Sequence, residues 1–326
     1  MKTGKLTNEE LKKIVLERLP ICSTDISKGP AVGLDSAMIH SKEGMMIISS
    51  DPITGASSDV GRIAIHVSCN DIACAGIKPT AIMLVVIAPS YATREDLIEV
   101  IDQASQAARE IGVDIVGGHT EVSDAVNRFV LMTTAIGFST ENNTISAAGA
   151  QVGDAILMTK SAALEGTAIL AADFKSRLAD TLTPEELLFA MNLVKDISVV
   201  KEGVLCGSLG VHAMHDATEG GILGAIWEIS EASNIGCFLD LSKVPVLQET
   251  LKICKFMNLN PYGLISSGSM IITTGEPQRI ISELSKIQIN CTEIGKIVEK
   301  SRSFIDNNGQ IHELLPPEAD ELYKIK

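Results

Sequence analysis

The residues of this chain that could do chemistry are acids set beside glycines, prolines and hydroxyls. Asp35 stands in Gly33-Leu34-Asp35-Ser36-Ala37, Asp51 in Ser49-Ser50-Asp51-Pro52, and Asp71 in Asn70-Asp71-Ile72-Ala73. Asp216 and Glu219 share the stretch His215-Asp216-Ala217-Thr218-Glu219-Gly220-Gly221, and Gly117-Gly118-His119-Thr120-Glu121 lies between the two groups. Hard cations such as Mg2+ take oxygen ligands and bridge proteins to phosphates through a few carboxylates. Acids gathered from strand ends and glycine-rich turns therefore suit a metal–nucleotide. The Walker A pattern and Gly-x-Gly-x-x-Gly are both absent, so the common phosphate cradles are not used.

Each motif also has a plainer reading. Asp35 can bond its own backbone in an Asx-type turn, and Asp51 before Pro52 can simply end a strand. Asp71 is more telling, because it sits amid small and apolar residues. A carboxylate there is costly to bury unless it holds something, a metal or a hydrogen-bond donor. His119 fits a general base, a metal ligand or a hydrogen-bonded structural histidine. Lys160, in Thr159-Lys160-Ser161, can meet a phosphate or stay solvated. The stretch from His215 to Gly221 lies where a strand meets a helix start, which attracts phosphate. Asp216 and Glu219 would be equally favourable there as capping residues. His119, Lys160 and His215 are thus the candidate catalytic groups. Asn70, Gly117, Gly118, Thr120, Gly220 and Gly221 are the candidate nucleotide contacts.

The elements that must position these residues are readable from periodicity and caps. Thr7-Asn8-Glu9-Glu10 has the capping-box pattern, with Leu11, Ile14, Val15 and Leu19 following at helical spacing. Residues 45–49 read as a strand delivering Asp51, and 60–75 as a buried helix stopped by Gly76. Residues 81–88 are an apolar run of strand length, and Thr93 caps a helix ended by Gly112. A short strand over 113–116 leads into Gly117-Gly118 as a turn, and 129–138 form another strand. After a turn at 151–154, residues 155–159 read as a strand, and Pro184 opens a helix at its favoured first position. Strands are expected over 211–214, 237–239, 270–273 and 294–298, a helix from Thr218, and a hairpin turn at Asp306-Asn307-Asn308-Gly309. Strands alternate with helices in both halves. The expected fold is α/β with mixed sheets in two domains, 1–150 and 151–326, joined near residues 148–154.

Composition narrows the partners. The chain has 326 residues, 27 basic against 41 acidic, for a formal charge of −14. That balance disfavours nucleic acid and anionic membrane surfaces. Aromatics make up only 3%, so stacking platforms for single strands are not expected either. The seven cysteines (Cys22, Cys69, Cys74, Cys206, Cys237, Cys254 and Cys291) are scattered without a Cys-x2-Cys pair. They read as reduced, mostly buried thiols rather than a zinc site. The N-terminus lacks a signal-peptide core and the longest apolar run is far too short to cross a bilayer, so a cytoplasmic protein is expected.

Taken in order along nearly the whole chain, these motifs resemble the AIR synthase (PurM-like) ATP-binding superfamily, and its hydrogenase-maturation HypE-like branch most. Gly33 to Ala37 is similar to the family's Gly-Asp-Asp-Ala-Ala element, with Leu34 in place of the first aspartate. Ser50-Asp51 is similar to its Thr-Asp strand end. Asn70-Asp71-Ile72-Ala73-Cys74-Ala75-Gly76 is the most specific match. Gly117 to Thr120 corresponds to Gly-Gly-Asp/Glu-Thr, Asp216 to Gly221 to Asp-Pro-Thr-Arg-Gly-Gly, and Ser266-Ser267-Gly268 to a late Ser-Ser-Gly turn. The resemblance implies a PurM-like fold, with an N-terminal domain that forms a dimeric barrel and a C-terminal α/β domain. It implies ATP and Mg2+ as cofactors, a nucleotide and a small molecule as substrates, a homodimer and a maturation-protein partner. It implies that Asp35, Asp51 and Asp71 hold metal on the phosphates while Asp216 and Glu219 close the site from the second domain. Phosphoryl transfer, which needs positioning and charge neutralisation above all, is the chemistry it implies. No cysteine follows Cys291, so the terminal-cysteine chemistry of HypE is not expected.

Overall fold

The structure, a computed structural model, describes residues 7–10, 12–13, 16, 25–28, 31–34, 36–41, 44–140, 144–317 and 319–325. Asp35, Cys22 and most of the N-terminal helical pattern lie outside the described residues. Two mixed sheets organise the rest. The first has the order β1 (Ile26–Lys28), β2 (Ala37–Ser41), β3 (Gly44–Ile53), β6 (Val130–Ser139), β4 (Pro79–Pro89) and β5 (Asp114–Ser123). Its pairs are antiparallel except β4 with β5. The second has the order β13 (Ile311–Glu313), β12 (Arg302–Ile305), β9 (Gly236–Asp240), β11 (Cys291–Val298), β7 (Ala155–Thr159), β10 (Met270–Thr274) and β8 (Ala213–Asp216).

Helices form where the caps place them. A single turn, α1 (Asn8–Glu10), begins the described chain, and α2 (Val60–Cys74) follows β3. α3 (Arg94–Ile111) opens on a Thr93–Asp96 capping box and closes on Gly112 at φ 67°, a left-handed conformation that favours glycine. In the second domain come α4 (Leu164–Asp173), α5 (Lys175–Leu178), α6 (Pro184–Asn192), α7 (Val200–Leu209), α8 (Gly221–Ala232), α9 (Gln248–Met257) and α10 (Pro277–Lys286). Thr183 and Glu186 build a second capping box, with Pro184 just inside it.

Every residue of α2 is buried. One side packs on the first sheet. The other meets the second domain, and a single apolar cluster joins Ile63, Val67 and Ile72 to Ile169, Val194, Ile197 and Val200. Small residues let the backbones meet there. A Cβ on Gly203 would stand 2.5 Å from the Ala73 oxygen, and one on Gly207 would stand 2.4 Å from the Gly76 Cα.

Two expectations for local structure need correction. Gly117-Gly118-His119-Thr120 is not a turn after a short strand, because β5 runs straight through it as the edge of the sheet. Gly118 is required by its neighbour rather than by a ligand: a Cβ there would lie 1.7 Å from the Leu84 oxygen of β4. The helix expected from Thr218 starts instead at Gly221, after Gly220 at φ 86°. Pro52, which lies inside β3, is tolerated because β2 pairs only as far as Ile48 and leaves that side of β3 open.

Candidate functional site

Between the domains lies a cleft of about 920 Å³. The first domain contributes the end of β3 with Asp51, the loop through Thr54 and Gly55, and Asp71 from α2. The second contributes Glu165 and Asp173 from α4, Thr218 and Glu219 from the turn before α8, and Leu322 and Tyr323 from the C-terminal segment. Arg128 is the one basic residue among the described residues that line it. Of the sequence-level acids, Asp51, Asp71 and Glu219 are thus brought together from both halves of the chain.

Asp71 is 5% exposed although it is ionisable. The Ser49 hydroxyl donates to its Oδ2. Ser49 also reaches Asp51 Oδ2 at 3.4 Å, and Ser68 donates to the same oxygen at 3.2 Å. Hydroxyls from β3 and α2 therefore tie the two carboxylates into one unit. On its other side Asp71 lines a narrow pocket of about 30 Å³ with Leu34, Cys74, His215 and Asp216. Cys74 Sγ lies 3.9 Å from Asp216 Oδ1. Asp216 is 1% exposed and so belongs to this inner pocket rather than to the open cleft.

The remaining candidates fall elsewhere. Asn70 is fully buried and donates to the Ile197 carbonyl at 2.9 Å, while its Oδ1 accepts from the Val199 amide at 2.8 Å. Both ends of its amide hold the second domain, so it does not face the cleft. Lys160 pairs with Glu202 at 2.7 Å and donates to the carbonyls of Ser198 and Asp196. Its ammonium braces that same 196–202 segment. His215 is 2% exposed, with Nδ1 at 2.8 Å from the Asp216 carbonyl and Nε2 at 3.2 Å from Glu228. His119 pairs with Glu121 on the exposed edge strand, and neither it nor Gly117, Gly118 or Thr120 is among the residues that line the cleft.

Gly220 and Gly221 do not line the cleft either. The Gly220 amide donates to Asp320 at 2.7 Å, and the amides of Gly221 and Leu223 donate to the carbonyls of Thr218 and Tyr262. The start of α8 is satisfied by the chain itself, and a carboxylate already occupies the place expected of a phosphate. A Cβ on Gly221 would stand 2.6 Å from the Tyr262 oxygen, which accounts for glycine there.

Sequence reasoning missed Glu165, Asp320 and Tyr323. Glu165 is 3% exposed in the first turn of α4. Burial foremost pushes its carboxyl up to about 7; Ser267 opposes this, and the charges of Asp320 and Glu219 add to it. Asp320 is likewise raised by burial, to about 6, despite three backbone donors. Tyr323 donates to Glu219 Oε1 at 3.0 Å. The signal for Glu165 was present: a lone acid in Ala162-Ala163-Leu164-Glu165-Gly166-Thr167-Ala168, the same kind of setting that singled out Asp71. The Cys69, Cys206, Cys254 and Cys291 thiols are all pushed up to about 12 by burial, so none of them is an activated nucleophile.

The raised carboxyl of Glu165 has a consequence for stability. The folded chain keeps this proton up to about pH 7, whereas the unfolded chain releases it near 4.5. The folded state therefore binds more protons across that window, and stability falls as pH rises through it. At 1.36 kcal/mol per unit the loss is about 3 kcal/mol. Glu165→Gln cannot ionise, so it is expected to exceed the wild type by about that amount at pH 8. The gap should close towards pH 5, and urea unfolding across this range measures it. A gap independent of pH would refute the assignment.

Among the described residues, no group of three His, Cys, Asp or Glu side chains is spaced to cage a metal ion, and no helix is long and apolar enough to cross a membrane. The AIR synthase related protein N-terminal domain matches residues 33–139, and the AIR synthase related protein C-terminal domain matches residues 151–306. The chain is 30% identical over 277 residues to a provisionally named hydrogenase expression/formation protein of Methanocaldococcus jannaschii, an alignment spanning 82% of this chain and 79% of that one. It is 28% identical over 274 residues to the carbamoyl dehydratase HypE of Cupriavidus necator, spanning 80% and 75%. The crystal structure of hydrogenase maturation protein HypE in complex with ATP superimposes with a TM-score of 0.73 at 22% identity, covering 98% of this chain and 94% of that one. At that identity the likeness speaks for the fold.

Proposed function

This chain belongs to the AIR synthase related protein family, on its HypE-like branch, and from that premise we propose that it is an ATP- and Mg2+-dependent enzyme. It activates an amide, carboxylate or phosphate oxygen of a small molecule by phosphoryl transfer. The observation that carries this reading is the cleft that gathers Asp51, Asp71 and Glu219 from two domains. Its volume of about 920 Å³ suits a nucleotide and a small co-substrate together.

The residues present fit Mg2+. All are hard oxygen donors, and Asp51 and Asp71 are held as a pair by shared serine contacts. A preformed cage is not needed, because Mg2+ usually keeps waters and binds through one or two carboxylates plus substrate phosphates. Asp51 and Asp71, with Asp216 behind and Asp35 outside the described residues, would hold it. Bound with the nucleotide, the ion neutralises the phosphate charge that this acid-lined cleft cannot. Glu219, steadied by Tyr323, closes the site from the second domain. Isothermal titration of the chain with a non-hydrolysable ATP analogue and Mg2+ tests the reading, and an absence of binding would sink it.

A second reading is favoured by one set of contacts. His119, Lys160 and His215 all have partners away from the cleft, which suits a nucleotide-binding accessory protein without turnover. Steady ATP hydrolysis that Asp51→Asn abolishes would exclude it.

The chain is also proposed to form a homodimer. Met83 on β4 and Met132 and Phe138 on β6 are 42%, 43% and 58% exposed on the sheet face opposite α2. Exposed apolar rows of this kind mark interfaces. Light scattering is expected to give the mass of a dimer, and Met132→Glu combined with Phe138→Glu to give a monomer. A wild-type monomer at micromolar concentration would overturn this.

A further inference from the structure

The cleft is short of positive charge. Asp51, Asp71, Glu165, Asp173 and Glu219 line it, against Arg128 alone among the described basic residues. A phosphate ligand entering it meets carboxylates from both domains. A single divalent ion held by Asp51 and Asp71 leaves a triphosphate anionic, so a cation of the protein's own has to face what remains.

Arg128 stands in the turn that joins β5 to β6. The turn is pinned: the Tyr91 hydroxyl donates to the Asn127 carbonyl at 3.0 Å, and the Ala125 amide donates to Ser123 Oγ at 3.2 Å. The Arg128 side chain is exposed. In the ladder of β3 with β6, Asp51 lies opposite Thr133 and Ile53 opposite Leu131. Arg128 precedes Thr133 by 133 − 128 = 5 residues. At ~3.3 Å per residue its backbone is therefore at most about 17 Å further along, within the reach of an arginine and a phosphate chain together. Arg62, Arg279 and Arg302 each hold a carboxylate, from Glu110, Glu276 and Glu231. Arg128 pairs with none among the described residues, although five share its cleft. Asp173, the last residue of α4, is near enough to feel it. Burial foremost raises that carboxyl, and Ser57 and the charge of Arg128 act against the rise. Asp173 follows Glu165 by 173 − 165 = 8 residues of α4, or ~12 Å along the helix axis. Arg128 and the acids Glu165 and Glu219 thus mark different ends of the cleft.

We propose that Arg128 is a phosphate-binding residue, its guanidinium taking the nucleotide oxygens that the metal ion leaves free. The inference rests on the reading of the cleft as the nucleotide site. A guanidinium stays charged throughout the working range and presents a planar fork that matches two phosphate oxygens. From its exposed turn it also draws an anion towards a cleft that otherwise repels one. The phosphate chain is thereby set towards the β5–β6 turn, and the end at Glu165 and Glu219 stays clear of it.

Calorimetric titration of the full chain with Mg2+ and a non-hydrolysable ATP analogue, and separately with Mg2+ and tripolyphosphate, tests this. Arg128→Gln is expected to weaken both by about tenfold or more, as the loss of one charge-assisted contact does. Its melting temperature should match the wild type, because the exposed side chain braces no other described residue. Arg128→Lys keeps the charge and loses the fork, and is expected to stay within about threefold of the wild type. Added salt should weaken the wild type more steeply than Arg128→Gln. A smaller loss in Arg128→Gln, an equal loss in Arg128→Lys, or equal salt slopes would each overturn the assignment. The two probes separate it from the wider reading. Tripolyphosphate binding that depends on Arg128, without nucleotide binding, refutes only the nucleotide. Nucleotide binding indifferent to Arg128 refutes only the assignment, and no binding of either probe to the wild type refutes both.

Discussion

Asp71→Asn is expected to lower the affinity for Mg–ATP at least 100-fold while leaving the fold intact. The side chain is almost fully buried in the middle of α2, yet it reaches both the open cleft and the inner pocket that holds Asp216. Asparagine keeps the volume and can still accept from Ser49, so the local packing has no reason to change. What disappears is one negative charge and one hard oxygen ligand. A hundredfold loss corresponds to about 2.7 kcal/mol, within the range for one charged contact in a partly desolvated site. Neutralising a buried carboxylate also removes a desolvation penalty, so the ligand-free variant should melt at or above the wild-type temperature. The upward shift in melting temperature that Mg–ATP gives the wild type should vanish. Calorimetric titration and thermal melts measure the two effects separately. Unchanged affinity would mean that this carboxylate is structural, and would leave the reading of the cleft without its central ligand.

The parts of the molecule that were legible in the sequence are those written in local pattern. Thr93 as a cap and Pro184 at a first helical position announced their helices, and both helices formed, each on a capping box. The small, apolar run around Asp71 announced a helix buried on all sides, and α2 is one. Alternation and chain order gave two mixed α/β units, and Asp51 and Asp71 from the first meet Glu219 from the second in one cleft. What local pattern could not convey is which segment lies across from a given residue. A Gly-Gly pair signals close approach by something, but not by what. At Gly118 the visitor is β4, and at Gly221 it is the 262–264 backbone. Lys160 after a strand looked suited to a phosphate, yet carbonyls and a glutamate some forty residues later claim its ammonium. Glu165 was overlooked because no motif surrounds it. Its importance comes from Glu219 and Asp320, which only the folded chain brings near.

Asn70 is where local pattern and tertiary contact give opposite predictions, and Asn70→Ala decides between them. As a nucleotide contact, its loss would weaken ATP binding and leave stability nearly unchanged. As a latch, its loss strands the Ile197 carbonyl and the Val199 amide, both at residues with 0% exposure. Each buried group left unpaired costs about 1–3 kcal/mol. The expected destabilisation is therefore about 4 kcal/mol, or roughly 6 °C for a chain of this size at about 2.1 cal/mol/K per residue. Nucleotide affinity, measured at a temperature where the variant is folded, should stay within threefold of the wild type. Asn70→Asp should be no rescue. It keeps the acceptor for Val199 but sets a carboxylate against the Ile197 carbonyl, where a donor is required. Urea unfolding and calorimetric titration of both variants supply the comparison. If Asn70→Ala kept full stability and lost the nucleotide, the amide would have to leave the second domain to reach the ligand, and the cleft would have to close differently from the arrangement described. The more economical outcome is that the Asn-Asp pair divides its labour: Asn70 holds the domains in register so that Asp71, one residue on, faces the cleft they form.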